Sequence, residues 1–271
     1  MARSIAAFPG YPYNPFMSDD PYAAIAPYYD LEHGDFDADV ELYLGYASMI
    51  GSPILELGCG SGRLLVPLAQ AGHDVSGIDS SAAMIELAHK RLAAEGLSRV
   101  DARIGDMRVI DGYDDSHFRM VFAAFNSFLH LETREEQLAA LAAARRVLHH
   151  NGLLIVDVFQ PTPAVLQNLD DQFRLDGQWV LPNGERIDRM SSWRLHVAEQ
   201  RIETTLFYDR LLPTGELRRT VASYVTRYVH RFEMEGLLSE AGFELEGIYG
   251  SYQLEPLDDS SRTMIFVAHR R

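Results

Sequence analysis

Cysteine is almost missing from this chain: among its 271 residues only Cys59 is one. A single thiol excludes an intrachain disulfide and a thiolate metal centre, which needs several sulfur ligands. A reducing, cytoplasmic compartment is therefore expected, and no metal. Basic charge is scarce too, with 24 Lys+Arg against 39 Asp+Glu and a net charge of -15. A nucleic-acid partner needs a basic surface, so none is expected. Lys90 is the only lysine; the remaining basic residues are arginines, an imbalance that reads as base composition of the gene and carries no chemistry. No run approaches the ~20 apolar residues of a spanning helix, and residues 1–15 lack the apolar stretch behind basic residues that marks a secretory signal. No membrane partner is expected either. What the chain does have is a 47% hydrophobic composition, enough for one globular unit with a sizeable insertion.

The order of patterns predicts the architecture. Phe8-Pro9-Gly10-Tyr11-Pro12 cannot propagate a helix, so the first stretch reads as a tail or lid, and residues 22–49 follow as two helices. Strands at 54–57, 75–78, 102–104, 120–125 and 153–159 then alternate with helices at 63–71, 82–95 and 133–148; Ser80 or Ser81 caps the second helix, and a turn at Asn151-Gly152 precedes the fifth strand. This alternation implies a parallel, doubly wound α/β sheet. It breaks at 173–229, where four runs (173–181, 186–196, 200–212, 216–230) joined by Gly- and Pro-containing turns read as an antiparallel β insertion. A helix at 233–241 stopped by Gly242, then strands at 243–249 and 263–269, closes the sheet as an antiparallel hairpin. The expected organisation is a tail and helical lid (1–49), a ligand-binding core (50–160), an antiparallel cap (161–230) and a segment completing a seven-stranded, mostly parallel sheet (231–271).

Chemistry concentrates at the strand ends. Ile54-Leu55-Glu56-Leu57-Gly58-Cys59-Gly60-Ser61-Gly62 runs a strand into a glycine turn, where a Cβ would hold a ligand away from the main chain. The spacing is Gly-x-Gly-x-Gly, not the Gly-x-Gly-x-x-Gly of dinucleotide loops that seat a pyrophosphate. A ligand without phosphate but with a cationic amino-acid end suits Glu56. Asp79 ends the second strand, where a carboxylate accepts from both hydroxyls of a ribose; with Ser80 beside it, it also fits a helix cap. Met84 packs on an adenine face or in the core. Asp106 and Met107 follow the third strand, suited to the amino group and ring of an adenine, and Phe125-Asn126 end the fourth.

Taken in order, Glu56-Leu57-Gly58-Cys59-Gly60-Ser61-Gly62, Ile78-Asp79-Ser80-Ser81-Ala82-Ala83-Met84, Gly105-Asp106-Met107 and Val147-Leu148-His149-His150-Asn151-Gly152 resemble the class I S-adenosylmethionine-dependent methyltransferases, over roughly residues 50–159. The resemblance implies a Rossmann-like fold and S-adenosylmethionine as cofactor. Glu56, Gly58 and Gly60 would then lie at its methionine end, Asp79 on the ribose, and Asp106 and Met107 at the adenine. Cys59 falls where that family tolerates small residues.

The chain is also similar to small-molecule methyltransferases with an antiparallel cap, such as those acting on amino groups of nucleotide-linked sugars or glycine-like amines. That similarity rests on Tyr28-Tyr29-Asp30 and on His130. It implies Tyr29 over the sulfonium and His130 as acceptor of the proton shed by a nucleophile; the alternatives are a core tyrosine and a helix-start histidine. A small-molecule acceptor, methylated at N or O, would rest on the insertion. Trp193, Arg227 and Tyr228, with Phe207, Tyr208 and Tyr224, offer aromatic and cationic surface there, and Arg194 and Arg210 could hold an anion; the alternative is that the rings fill an interface and the arginines pair with acids. The insertion's open edge also offers a homodimer surface. An NAD(P)-dependent oxidoreductase and a cofactor-binding protein without transfer activity remain the competing functions.

Overall fold

Ile54-Leu55-Glu56-Leu57 is buried at every position, as a strand covered by helices on both faces must be. In the computed structural model, which describes residues 20–271, this strand, β1 (Ile54–Leu57), lies at the middle of the larger sheet. The expected tail at 1–15 lies outside the described residues. Two helices precede β1, α1 (Tyr22–His33) and α2 (Val40–Ile50). After it come α3 (Leu65–Gln70), β2 (Val75–Asp79), α4 (Ala82–Ala94), β3 (Asp101–Ile104), β4 (Phe118–Ala123), α5 (Arg134–Val147) and β5 (Leu148–Phe159). A short helix α6 (Pro163–Gln167) leads to the cap strands β6 (Arg174–Val180), β7 (Arg186–His196), β8 (Arg201–Leu211) and β9 (Leu217–Arg227). The chain ends in α7 (Arg231–Glu240), β10 (Phe243–Tyr249) and β11 (Thr263–Arg270).

The seven strands stand in the order β10-β11-β5-β4-β1-β2-β3. All neighbours are parallel except at β11, which is antiparallel to both β5 and β10. Period-two alternation sends Leu55 and Leu57 into one core and Ile54 into the other; α5 and α7 cover the first, α2, α3 and α4 the second. Two of these helices start at side-chain caps. Ser81 caps α4 by accepting from the Met84 amide, and Thr133 caps α5, which carries Glu135 and Glu136 in its first turn and Arg145 and Arg146 in its last, complementing the helix dipole. From β1 the chain winds outward through β2 and β3, then returns to the other side of β1 with β4. The carboxyl ends of β1 and β4 therefore frame the switch point where open α/β sheets bind ligands.

The insertion is a four-stranded antiparallel sheet in sequence order. Its register sets Trp193, Thr204 and Tyr224 in one row across β7, β8 and β9. Helix α1 is wedged between this cap and the core, with Ile25 and Tyr28 buried together with Ile187, Leu206, Tyr208 and Ala222, and the Tyr28 and Tyr208 rings stacked 4.1 Å apart. Among the described residues no helix is long and apolar enough to cross a membrane.

Three local expectations differ from what forms. Strand β5 begins at Leu148 and runs through Asn151-Gly152, the extra residues being absorbed by a register shift against β4 between Phe118 and Met120. Strand β4 ends at Ala123 because Phe125 and Asn126 adopt φ of 50° and 69° and turn the chain. Helix α6 was not expected; Thr162 caps it and a proline occupies its first turn, a position where the missing N–H is no loss.

Candidate functional site

A cavity of about 710 Å³ opens at the carboxyl ends of β1 to β4 and extends to the inner face of the cap. That size falls within the ~300–1,000 Å³ usual for small-molecule sites. The turn after β1 forms its floor. The Gly58 and Cys59 amides both donate to the Ile78 carbonyl, at 2.8 and 3.0 Å, folding the turn over the end of β2. This close approach is possible because residue 77 is glycine: a Cβ there would lie 2.7 Å from Cys59 Cβ and 2.9 Å from Leu65 Cδ1. Gly60 has φ of 54°, and a Cβ added to it would point at Met84 Cε and the Tyr29 hydroxyl, 3.5 and 3.6 Å away. The bare backbone thus lies between α4 and α1.

Carboxylates surround this floor in different states. Glu56 is buried under the turn and its Oε2 has no hydrogen-bond partner. Burial raises its pKa well above the usual range, the Arg63 guanidinium opposing. Asp79 accepts from the Gly60 and Ser81 amides, both at 2.9 Å; burial still raises its pKa. Asp106 is half-exposed and lowered by hydrogen bonding to Arg108, 2.7 Å away. Asp39, fully buried, holds Arg63 through two hydrogen bonds of 2.6 and 2.7 Å. Asp157 of β5 accepts from the Phe125 amide and from the Tyr252 and Thr263 hydroxyls, and Asn126 Oδ1 accepts from the Phe159 amide at 2.7 Å. These bonds pin the left-handed Phe125-Asn126 turn against the cavity.

The opposite wall is aromatic. His130 Nε2 lies 3.0 Å from the Tyr22 hydroxyl, and Tyr22 stacks on Tyr224 at 5.8 Å. Burial lowers the pKa of His130 to about 4 and, with Arg189 and Arg63 adding to it, that of His33 to about 4. Both imidazoles are neutral at physiological pH. Burial raises the Tyr29 phenol, so it stays protonated.

Comparison with known proteins decides what this geometry belongs to. Residues 54–152 match a methyltransferase domain. The chain is 32% identical to a glycine/sarcosine N-methyltransferase of Aphanothece halophytica over 228 residues, 80% of this chain and 76% of that one. It is likewise 32% identical to the putative methyltransferase YqeM of Bacillus subtilis over 77% of this chain and 81% of that one. The chain belongs to the S-adenosylmethionine-dependent methyltransferase family. The CcbJ methyltransferase of Streptomyces caelestis superposes on this methyltransferase with a TM-score of 0.75 at 25% identity, covering 93% of this chain and 99% of that one. The oxidoreductase reading is thereby set aside, in line with the glycine spacing. The residues present fit S-adenosylmethionine: the buried Glu56 Oε2 has no hydrogen-bond partner, and the glycine turn leaves a cradle that side chains would fill.

Of the residues singled out in the sequence, Tyr29, Gly58, Gly60, Asp79, Ser80, Met84, Asp106, Met107, Phe125, Asn126, His130 and Trp193 line the cavity of the enzyme. Glu56, Cys59 and Gly62 stand behind its floor: Cys59 is buried with its thiol pKa pushed up by burial, and Gly62 packs against Ala88 of α4. Arg227 and Tyr228 are not brought to the cavity. Arg227 is buried in the joint between cap and core, bonded to Gln137, Gln200 and Glu233, and Tyr228 is buried just beyond it. Arg194 pairs with Asp171, and Arg210 with Glu185, so each of these arginines takes the acid-paired alternative. The sequence reading missed Asp20, Ser127, Thr204 and Asp157. A lone acid inside Leu153-Leu154-Ile155-Val156-Asp157-Val158 was the available signal for the last, since a buried carboxylate must find partners.

Proposed function

We propose that this enzyme transfers the methyl group of S-adenosylmethionine to a nitrogen or oxygen atom of a small-molecule acceptor held between the Ser127–His130 turn and the cap. The observation that carries this is the single chamber joining the glycine turn to the Trp193-Thr204-Tyr224 row, with α1 laid across it. Glu56, behind the glycine turn, would attract the cofactor's ammonium, directly or through a water, with the bare backbone at Gly58 and Gly60 beside it; Asp79 would offer its remaining lone pairs to the ribose, and Asp106 and Met107 would face the adenine. The cofactor supplies a methyl carbon on a sulfonium, open to in-line displacement. Tyr29 borders the reacting region, and His130, neutral and within reach of Tyr22, accepts a hydrogen bond or proton from the nucleophile. Orientation and exclusion of water supply much of the remaining rate. The net charge of -15 supports a small acceptor over a polyanion.

The test is transfer of radiolabelled methyl from S-adenosylmethionine into a metabolite extract, RNA and protein in parallel. Label in the small-molecule fraction is expected. Label confined to protein or RNA overturns the proposal.

A further inference from the structure

The reading above leaves the acceptor's chemistry open, and the wall that would meet it is short of free positive charge. A second hollow of about 150 Å³ adjoins the main cavity and shares Tyr22, Tyr29, His33, Trp193, Thr204 and Tyr224 with it. Its inner end is formed by Glu32 of α1, Asp176 of β6 and Arg189 of β7. Arg189 is occupied on both sides, by Glu32 and, at 2.9 Å, by Asp176. The Glu32 side chain is only 4% exposed, and its Oε1 faces the Tyr208 hydroxyl outside hydrogen-bonding geometry. Asp176 also accepts from the Ser191 hydroxyl.

The same balance holds in the main cavity. Arg108, the one arginine lining it among the described residues, is bound by Asp106 and Glu136, and Glu132 pairs with Arg201. Among the described residues, every guanidinium lining the two spaces thus stands between two carboxylates, and both histidines are neutral. An acceptor carboxylate or phosphate would lose its water and find no free cation among the described residues, which is costly in a desolvated site. An ammonium would find four aromatic rings and a net negative charge behind them, the environment that stabilises cations.

We propose, resting on the methyl-transfer reading above, that the acceptor is an amine carrying no carboxylate or phosphate, bound beside Tyr22, Tyr29, Trp193 and Tyr224 with Glu32 and Asp176 behind them. In the transfer, the ammonium first gives its proton to solvent, and the neutral amine donates a hydrogen bond to His130. The nitrogen lone pair then forms the N–C bond as the C–S pair returns to sulfur, and the methylated nitrogen regains positive charge facing the same rings and carboxylates. This selectivity separates the enzyme from its relative named for glycine and sarcosine, both of which bear a carboxylate.

The experiment measures calorimetric binding of matched probes to the enzyme saturated with S-adenosylhomocysteine, and their turnover with S-adenosylmethionine: tyramine against tyrosine, tryptamine against tryptophan, and a free amino sugar against the same sugar linked to a nucleoside diphosphate. The probe without the anion is expected to bind tighter by about tenfold or more, one decade per ~1.4 kcal/mol. Equal or better binding of the anionic members, or no binding of any amine at millimolar concentration, overturns the proposal. In Glu32→Gln/Asp176→Asn, Arg189 is released and the preference should shrink or reverse, with affinity for S-adenosylhomocysteine retained. Trp193→Leu, which leaves the ions in place, should weaken the cationic probes selectively and decides the matter if the double variant does not fold. Failure of methyl transfer to small molecules altogether would show in the labelling experiment; failure of this proposal alone shows in amine binding and in the pair preference, with label still entering small molecules.

Discussion

The Tyr22 hydroxyl of α1 meets His130 Nε2 at 3.0 Å, joining residues 108 positions apart and tying the helix laid over the cavity to the turn that follows β4. Tyr22 stacks in turn on Tyr224 of the cap, so core, α1 and cap meet at one imidazole.

If His130 takes the nucleophile's proton or hydrogen bond, His130→Ala should lower kcat by roughly 10- to 100-fold, at or below the ~100-fold lower limit usual for such groups because a pKa of about 4 makes a weak base. Affinity for S-adenosylhomocysteine should stay within about twofold, since His130 lines the side of the cavity proposed for the acceptor. Tyr22→Phe should give a smaller loss of the same kind. Steady-state rates and calorimetry check both; a His130→Ala enzyme with unchanged kcat removes the residue from the chemistry.

His130 also links stability to pH. Its pKa is lowered from 6.5 to about 4 by burial, so the unfolded chain binds a proton between those values that the folded chain refuses. Stability from this group is present above pH 6.5 and falls as pH drops towards 4, by roughly 3 kcal/mol in all. Comparing urea unfolding of the wild type and His130→Phe at several pH values cancels the other groups; the wild type should lose more on acidification.

Glu56 sets function against stability. A buried carboxylate with an unpartnered oxygen destabilises the ligand-free protein, so Glu56→Gln should raise its melting temperature while weakening S-adenosylhomocysteine by roughly 10- to 100-fold, the worth of one charged hydrogen bond. Thermal unfolding with and without the ligand measures both; a variant that binds as tightly as wild type contradicts the assignment.

Gly77→Ala inserts a methyl 2.7 Å from Cys59 Cβ. Overpacking of that kind destabilises by about 1–3 kcal/mol, and here the displaced group is the glycine turn proposed to hold the cofactor. Both unfolding free energy and S-adenosylhomocysteine affinity should fall together in denaturation and calorimetric titrations.

Asp39→Ala strands the Arg63 guanidinium, which is itself largely buried. Removing one partner of such a pair destabilises by about 3–5 kcal/mol. Because Arg63 also bears on Glu56 and Tyr29, the variant should bind S-adenosylhomocysteine more weakly even at temperatures where it is folded.

The features readable in the sequence were those written in local periodicity. The alternating strands and helices, the four runs of the cap and the closing hairpin formed within a few residues of their expected bounds, because burial on a pleated or helical face imposes a spacing that any window of the chain displays. The turn at Asn151-Gly152 failed because a register shift with β4 absorbed it, and pairing between strands is not a local property. The glycine turn and the acids at Asp79 and Asp106 were legible for a similar reason: each lies at or within two residues of a strand's carboxyl end, and strand ends in such a sheet converge.

What depended on the fold was the company each side chain keeps. Arg227 and Trp193 looked equally suited to an acceptor, yet the register of β7 to β9 turns Trp193 into the cavity, while Arg227 is held by Gln137, Gln200 and Glu233. Nor does the order of residues reveal that Glu32 and Asp176 neutralise Arg189, since α1, β6 and β7 meet only after the cap docks. The sequence by itself determined the cofactor and the architecture, through short-range spacing. The tertiary structure alone decided which charges cancel, because Coulomb energies depend on distances that the chain order does not contain.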